Sequence, residues 1–273
     1  MSGARAALAQ AHRIVVKAGS QVLLGTDGLP ALSRFHALLE SLAALRREGR
    51  EVLLVSSGAT GLGARRLGIG QRPASLGLAQ ACAAVGQGEL MELYRSGFAR
   101  LDALCAQVLL TQDDFLDDAR RANLRRTLDQ LLERGVIPVI NENDTVATAE
   151  LEALRVFGDN DKLSALVAVD LEADLLVLLS DVAGLHTSNP RHDPEASLLP
   201  EVAALTPEVL ALADGGSALG RGGMASKLEA VRLCTDAGIP VVLASGAKPG
   251  VIESALSGRP VGTHFHAAPG VAR

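Results

Sequence analysis

Short apolar runs alternate along the chain with longer segments that repeat their apolar residues at helical spacing. Each run has the length of a buried strand, and most runs end in small or polar residues. The predicted strands are Arg13–Lys17, Glu51–Ser56, Leu104–Leu110, Val136–Ile140, Asp174–Leu179 and Ile239–Ala244. The predicted helices cover 30–48, 75–99 as one or two helices, 120–134, the segment after Asp161 to about Leu171, and the segment after Gly223 to about Ala237. This alternation predicts a mostly parallel sheet covered on both faces by helices.

The pattern shows no repeat, low-complexity tract or linker, so residues 13–273 are predicted to form a single domain. Residues 1–12 are rich in alanine and lack the apolar core of a signal peptide, which predicts a short solvated leader. The most apolar stretch, Leu163–Leu185, is interrupted by four carboxylates. A membrane-spanning helix would not carry so many charges, and no membrane partner is expected.

Composition adds charge and cysteine usage to this picture. The formal net charge of -5 gives no sign of a basic face, so nucleic acid is not an expected partner. The cysteines lie far apart in apolar stretches without a CxxC pair, which favours buried reduced thiols and a cytoplasmic location. Lysine is rare beside arginine, and each lysine lies in or beside a polar or glycine-rich segment. The residues concerned are Cys82, Cys105 and Cys234, and Lys17, Lys162, Lys227 and Lys248.

Polar motifs follow the predicted strands, at the edge where open α/β sheets bind ligands. Lys17-Ala18-Gly19-Ser20 follows the first strand. Its glycine would let backbone N–H groups approach a ligand and its lysine would neutralise phosphate oxygens, although a plain turn with a solvated lysine has the same pattern. Residues 56–61 (SSGATG) follow the second strand. They offer donors to an anion, or form an ordinary turn with a serine helix cap.

Two amide–carboxylate clusters come later, at Asn141–Asp144 (NEND) and Gly158–Asp161 (GDND). Together they supply acceptors for an ammonium and donors for carboxylates, which suits a free amino acid; their spacing leaves Mg²⁺ binding open. A further motif, Gly220–Lys227 (GRGGMASK), places a lysine in the first turn of a helix. A cation there opposes the helix dipole, and its position is unfavourable unless an anion is bound. The motif therefore favours a phosphate-binding role.

Several familiar sites are excluded by the motifs that they require. No GxxxxGK[ST] occurs, so the chain is not a P-loop enzyme, and the HRD and DFG set of protein kinases is absent. Gly61-Leu62-Gly63 lacks the third glycine of a dinucleotide site. His264-Phe265-His266 could align two imidazoles on one strand face, but no carboxylate or third ligand is near in sequence. We therefore predict no metal site at these histidines and assign no residue as a metal ligand.

Taken together, the motifs resemble those of the amino acid kinase family, and of its glutamate-phosphorylating branch in particular. The matching segments occur in family order and cover essentially residues 13–267. They are VVKAGS (15–20), SSGA (56–59), AVGQ (84–87), PVINENDTVAT (138–148), FGDNDKLSA (157–165), GLHTSNPR (184–191), GRGGMASK (220–227) and ASGAKPGV (244–251).

This resemblance implies a three-layer αβα sandwich around an open, mainly parallel sheet. It also implies Mg²⁺ and ATP as cofactors, L-glutamate as substrate, γ-glutamyl phosphate as product, and proline as feedback inhibitor. A homo-oligomer is expected. The implied catalytic residues are Lys17, Lys227 and Asp161; those for substrate are Ser57, Asp144, Asn160 and Asp159; those for ATP are Lys17, Gly19, Ser180, Asp181, Arg221, Gly222, Gly223, Met224, Ala225, Ser226 and Lys227.

The sequence also departs from the pattern of the family. Ala18 replaces a bulkier apolar residue, Ser180 stands where threonine is common, and the connection at 150–157 is about four residues longer than usual. The chain reaches Arg273 without the small PUA domain that many bacterial members carry, which is the form expected here. Two rival functions remain open: an acetylglutamate kinase-like enzyme, and a non-catalytic amino-acid sensor on the same fold.

Overall fold

The computed structural model describes residues 3–69, 73–146, 160–213 and 223–268. The chain divides into two compact units. Unit 1 comprises Met1–Lys17 and Gly158–Arg273, and unit 2 comprises Ala18–Phe157. Unit 1 is thus built from both ends of the chain, whereas unit 2 is continuous.

Unit 2 contains three parallel strands, in the order β3 (Leu104–Leu110), β4 (Val136–Glu142) and β2 (Glu51–Ser56), and the middle strand β4 is hydrogen-bonded on both sides. Buried apolar residues fill β2 and β4, because helices cover them; β3 is partly exposed. The helices of unit 2 are α2 (Ser20–Leu23), α3 (Leu32–Arg47), α4 (Ala59–Arg66), α5 (Leu76–Ala99), α6 (Asp113–Leu116) and α7 (Asp118–Glu133), together with a 3₁₀ turn at Asp144–Val146.

Helices α4 and α5 of unit 2 cross at two glycines. A Cβ atom at Gly63 would lie 1.7 Å from the carbonyl oxygen of Cys82, and one at Gly86 would lie 1.8 Å from that of Ala59. The backbones therefore touch where both residues lack side chains. Gly63, the second glycine of the GLG segment, thus serves helix packing.

The strands of unit 1 lie in the order β1 (Arg13–Ala18, of which Ala18 falls in unit 2), β5 (Leu175–Ser180), β7 (Val241–Ser245), β8 (Thr263–Phe265) and β6 (Glu201–Val202). Strand β7 is parallel to β5 and antiparallel to β8, which in turn is parallel to β6. Every residue of β5 is buried. The helices of unit 1 are α1 (Gly3–Ala7), α8 (Asn160–Asp170), α9 (Pro207–Ala211), α10 (Met224–Asp236) and α11 (Val251–Leu256), together with a 3₁₀ turn at Leu8–Gln10.

The predicted mainly parallel α/β architecture is confirmed. All six predicted strands are present, and the 75–99 segment forms one helix. Strand β7 begins at Val241, two residues later than predicted, beyond Pro240, which has no N–H to donate to a neighbouring strand. Strands β6 and β8 were not predicted, since two or three residues are too few to show a period.

Residues 3–12, predicted as a solvated leader, are solvated only in part. Arg5 and Leu8 are each only 3% exposed. The Arg5 guanidinium donates to the carbonyl oxygens of Arg259 and Val261 at 3.1 and 3.2 Å, and its Nε lies 3.3 Å from Glu201 Oε1. Burial of this charge is tolerated because acceptors surround it, so α1 is packed onto unit 1 by a polar anchor that hydropathy does not reveal.

The thiols of Cys82 and Cys234 are buried as predicted, but Cys105 is only half-buried. Cys105 lies on β3, the end strand in the order of unit 2. Among the helices of the described residues, none combines the length and apolar character that crossing a bilayer requires.

His264 on β8 introduces a pH dependence of stability. Its ring is buried and, within the described residues, neither ring nitrogen has a hydrogen-bond partner. Burial first, then the charges of His266 and Arg5, lower the pKa of His264 from 6.5 to about 4, while Glu201 acts in the opposite direction. Because the unfolded chain takes up this proton at higher pH than the folded chain, the free energy of unfolding should fall as pH drops from 6.5 towards 4.

Urea unfolding midpoints measured across this pH range test the expectation. The His264→Leu variant should lose part of the pH dependence, because its buried side chain no longer titrates. The exposed His192 provides the matched control, since His192→Leu should leave the slope unchanged. Equal slopes in the wild type and in His264→Leu would contradict this assignment.

Candidate active site

A buried ion cluster joins three predicted catalytic residues in unit 1. Lys17 Nζ lies 2.6 Å from Asp161 Oδ1, and Lys227 Nζ lies 2.9 Å from Asp161 Oδ2. Asp161 is 0% exposed, and the lysines are 3% and 6% exposed. One carboxylate thus holds two ammonium groups, one on each oxygen.

Each member of the cluster is placed by the end of a secondary-structure element. Lys17 is next to last in β1, Asp161 lies in the first turn of α8, and Lys227 lies in the first turn of α10. A carboxylate is favourable at a helix N-terminus, whereas a cation there is not. The Lys227–Asp161 ion pair offsets the unfavourable position of Lys227.

The cluster brings two ammonium groups together. Both are buried, and they lie on the two oxygens of the same carboxylate. Two neighbouring lysines of this kind favour the binding of an anion. A transferred phosphoryl group is such an anion, and the two lysines can follow its developing charge without reorganising.

Other predicted nucleotide residues lie in the same unit. Ser180 ends β5, and its hydroxyl donates to Asp181 Oδ1 at 3.1 Å; Asp181 Oδ2 in turn accepts from Arg191 at 2.9 Å. Gly223 caps α10 without a side chain, so Met224, Ala225 and Ser226 follow directly in its first turn. Backbone N–H groups at such a helix start attract phosphate. Arg221 and Gly222 lie outside the described residues.

Predicted substrate residues in unit 2 lie at one edge of its strands. The register pairs Val55 of β2 with Ile140 of β4, so Ser57 and Asp144 follow neighbouring parallel strands that end at the same edge. Thr60 Oγ1 on α4 donates to Asp144 Oδ2 at 3.4 Å, which is a long hydrogen bond. The structure thus links the segment after β2 to the segment after β4.

For the remaining predicted residues, the structure gives only their position in an element or does not describe them. Asn160 is the first residue of α8 and precedes Asp161. Gly19 caps the short helix α2. Asp159 and the connection 150–157 lie outside the described residues.

Sequence reasoning assigned no role to Gln87 or Tyr94, whose side chains bond to polar groups at the edge of unit 2. Asn141 donates to Gln87 Oε1 at 2.8 Å, and both residues are buried. The Ser56 hydroxyl and the Tyr94 hydroxyl share a hydrogen bond of 2.8 Å. Gln87 and Tyr94 belong to α5, and the AVGQ segment was the only sequence signal for Gln87.

The parts of the chain that the structure describes contain no group of three or more His, Cys, Asp or Glu side chains placed to hold a metal ion. Both oxygens of Asp161 already face lysines. Mg²⁺ commonly binds through one or two carboxylates together with substrate phosphates and water. The donors present therefore fit a metal that enters with a polyphosphate.

Buried lysines around a carboxylate, placed at the strand ends of a parallel α/β sheet, are typical of proteins that bind phosphate groups. The chain is a member of the amino acid kinase family, whose model matches residues 12–245. Solved structures show the same fold: UMP kinase from Bacillus anthracis aligns with a TM-score of 0.63 and 18% identity over 94% of this chain and 96% of that one. Isopentenyl phosphate kinase aligns with a TM-score of 0.63 and 18% identity over 93% of this chain and 100% of that one. The predicted amino acid kinase fold is confirmed.

More similar relatives carry one common name. Glutamate 5-kinase of Gloeobacter violaceus is 50% identical over 253 residues, which cover 92% of this chain and 68% of that protein. The protein of that name from Thermus thermophilus is 50% identical over 257 residues, covering 94% and 68%. That from Symbiobacterium thermophilum is 45% identical over 261 residues, covering 96% and 98%. The resemblance seen in the motifs therefore extends through nearly all of the chain.

Proposed function

We propose that this chain transfers the γ-phosphoryl group of ATP to the γ-carboxylate of free L-glutamate, forming γ-glutamyl phosphate for proline synthesis. The relatives named glutamate 5-kinase support the substrate. The observation that carries the proposal is the buried Lys17–Asp161–Lys227 cluster, whose two adjacent ammonium groups suit a phosphoryl group.

The nucleophile in this reaction needs no general base. A glutamate carboxylate has an unperturbed pKa near about 4.3, so it is an anion at neutral pH. One carboxylate oxygen attacks the γ-phosphorus, the bond from that phosphorus to the bridging oxygen breaks, and ADP leaves with that electron pair. No proton has to move, so catalysis consists of alignment and charge stabilisation.

Lys17 and Lys227 would supply that stabilisation. Their ammonium groups are held by Asp161 at 2.6 and 2.9 Å, so their positions are fixed before the substrate arrives. Fixed charges stabilise a transition state without the cost of reorienting solvent. Asp161 would therefore act as a positioning residue for both lysines.

The nucleotide would be held by Gly19, by Ser180 and Asp181 after β5, and by the start of α10. Arg221, Gly222 and Gly223 belong to the same proposed site through their motif. Mg²⁺ would be held mainly by the phosphates of ATP, where it offsets their charge.

Glutamate itself would be bound by Ser57, Asp144, Asn160 and Asp159. Asp144 would pair with the α-ammonium group, since burying that charge without a partner costs several kcal/mol. Proline carries the same α-carboxylate and an ammonium, so it would compete for these groups. Homo-oligomer formation and a cytoplasmic location are parts of the same proposal.

Rival functions differ from this one in specific groups. Acetylglutamate has no α-ammonium and would not need Asp144. A sensor without catalytic function would not need the lysine cluster, which is intact here. Measuring ATP consumption with glutamate, with acetylglutamate and without an acceptor separates the three. Consumption that requires glutamate supports the proposal, and none with any acceptor would contradict it.

The role of Asp144 leads to a quantitative prediction. Asp144→Asn keeps the shape but removes the charge that pairs with the α-ammonium of glutamate. Losing a charge-assisted contact of roughly 2–4 kcal/mol should raise the KM for glutamate by about 30-fold or more. The KM for ATP should change little, because Asp144 is not among the residues proposed to hold the nucleotide.

Steady-state kinetics on the folded variant measures both constants. Asp113→Asn, at an exposed position of the same unit, controls for the loss of one negative charge and should change neither KM. An unchanged glutamate KM in Asp144→Asn would mean that another carboxylate pairs with the α-ammonium group, with Glu142 or Asp159 as the next candidates.

A further inference from the structure

A buried chain of amide groups lies at the strand edge of unit 2. The backbone N–H of Glu142 donates to Asn141 Oδ1 at 3.0 Å, and Asn141 Nδ2 donates to Gln87 Oε1 at 2.8 Å. The first bond fixes which end of the Asn141 amide carries oxygen. The second bond then fixes Gln87 in turn, so that its Nε2 is directed away from Asn141.

The Nε2 group of Gln87 is a buried donor that needs an acceptor. Gln87 is 8% exposed, and among the described residues its Nε2 atom has no hydrogen-bond partner. Buried amide donors are nearly always satisfied, so one that lacks a protein acceptor points to a ligand or a buried water. The amide cannot relieve this by turning over, since its oxygen is required by Asn141.

Gln87 lies near the segments that are proposed to bind the amino acid. Gln87 follows Gly86, where α5 crosses α4, and α4 begins directly after Ser57 and Gly58. Helix α5 also packs on the turn that contains Asp144. Gln87 therefore lies between the two segments proposed for the amino acid, and its neutral donor complements a carboxylate where Asp144 complements an ammonium.

We propose that Gln87 is a specificity-determining residue whose Nε2 donates a hydrogen bond to the α-carboxylate of the acceptor amino acid. This inference rests on the proposed function, because it assigns one more contact to the same substrate. Asn141 acts through Gln87 and is a positioning residue. The pair lets the site require both groups on the α-carbon of glutamate, the ammonium through Asp144 and the carboxylate through Gln87.

The Gln87→Glu variant tests the contact while it preserves the amide chain. One carboxylate oxygen still accepts from Asn141, and the donor is replaced by an oxygen that repels the α-carboxylate. We expect the KM for glutamate to rise about tenfold or more, with the KM for ATP within about twofold of the wild type. Gln107→Glu places the same charge on an exposed position of unit 2 and should leave both constants unchanged.

A second acceptor gives a readout that a merely structural role would not change. Isoglutamine, in which the α-carboxylate of glutamate is an amide, can donate to the new carboxylate in Gln87→Glu. The ratio of kcat/KM for isoglutamine to that for glutamate should therefore rise in this variant. In Gln87→Met, which has neither donor nor charge, the KM for glutamate should rise less and isoglutamine should gain no new partner.

Each outcome decides the inference. A raised glutamate KM with a shifted acceptor ratio supports it. Folded variants with wild-type glutamate KM and an unchanged ratio would overturn it, and would assign the Gln87 donor to a buried water, while wild-type activity leaves the proposed function intact. If the wild type does not phosphorylate glutamate at all, the proposed function fails and this contact fails with it.

Discussion

Replacing Lys227 with alanine should lower kcat about 1,000-fold while the KM for glutamate changes only a few fold. Its ammonium lies 2.9 Å from Asp161 and is held ready for charge that develops on the phosphoryl group. An interaction that strengthens in the transition state contributes to kcat more than to substrate binding. Removal of single groups that stabilise such charge costs about 100- to 1,000-fold in other enzymes, and cations on phosphoryl groups lie at the upper end.

Lys162 provides a matched lysine for this experiment. It is adjacent to Asp161 in the sequence, but its Nζ lies 3.2 Å from Glu229 on α10. Lys162→Ala should therefore lose a partly exposed ion pair and keep kcat. Rapid-quench measurement of ADP formation on both variants separates the chemical step from product release. A Lys227→Ala enzyme with near wild-type kcat would remove this residue from catalysis.

The residues of the Lys17–Asp161–Lys227 cluster could be selected from sequence because they occupy motif positions of the family next to element ends. Lys17 ends an apolar run, and Lys227 follows paired glycines at a helix start. A lysine at a helix N-terminus is unfavourable alone, which signalled an anionic partner. What the sequence could not provide was the geometry, in which one buried carboxylate holds both ammoniums.

Arg5 shows why burial within the N-terminal segment was not predicted. Its partners are mostly backbone carbonyl oxygens near residues 259–262, more than 250 positions away in the chain. Backbone acceptors leave no trace in the side-chain pattern. An arginine that is buried by such contacts has the same sequence context as a solvated one.

Gln87 was missed for a different reason. It lies in a helix whose apolar residues carry the periodic signal, and one polar residue on a buried face has no period of its own. Only the structure reveals that Asn141 meets it. The assignments of Asp159, Arg221, Gly222 and the 150–157 connection stay predictions, because they fall outside the described residues.

The Gly86→Ala variant should be among the most damaging single substitutions in unit 2. Its Cβ would lie 1.8 Å from the carbonyl oxygen of Ala59 and 2.5 Å from the amide nitrogen of Gly63. Both atoms belong to the backbone of α4, so no side chain can rotate away. Overpacking commonly costs about 1–3 kcal/mol, and this contact should reach or exceed the upper value because two helices must separate.

Urea unfolding gives the free energy of unfolding for Gly86→Ala and for its control on the same helix. A Cβ at Gly88 meets no atom within 4 Å, so Gly88→Ala should stabilise the protein by up to about 1 kcal/mol through helix propensity alone. The opposite signs expected two residues apart isolate the crossing from the glycine content of α5. Where the Gly86→Ala protein remains folded, the KM for glutamate should also rise, because separating α4 from α5 moves Thr60 relative to Gln87. A Gly86→Ala protein as stable as the wild type would show that the helices do not approach as closely as 1.8 Å implies.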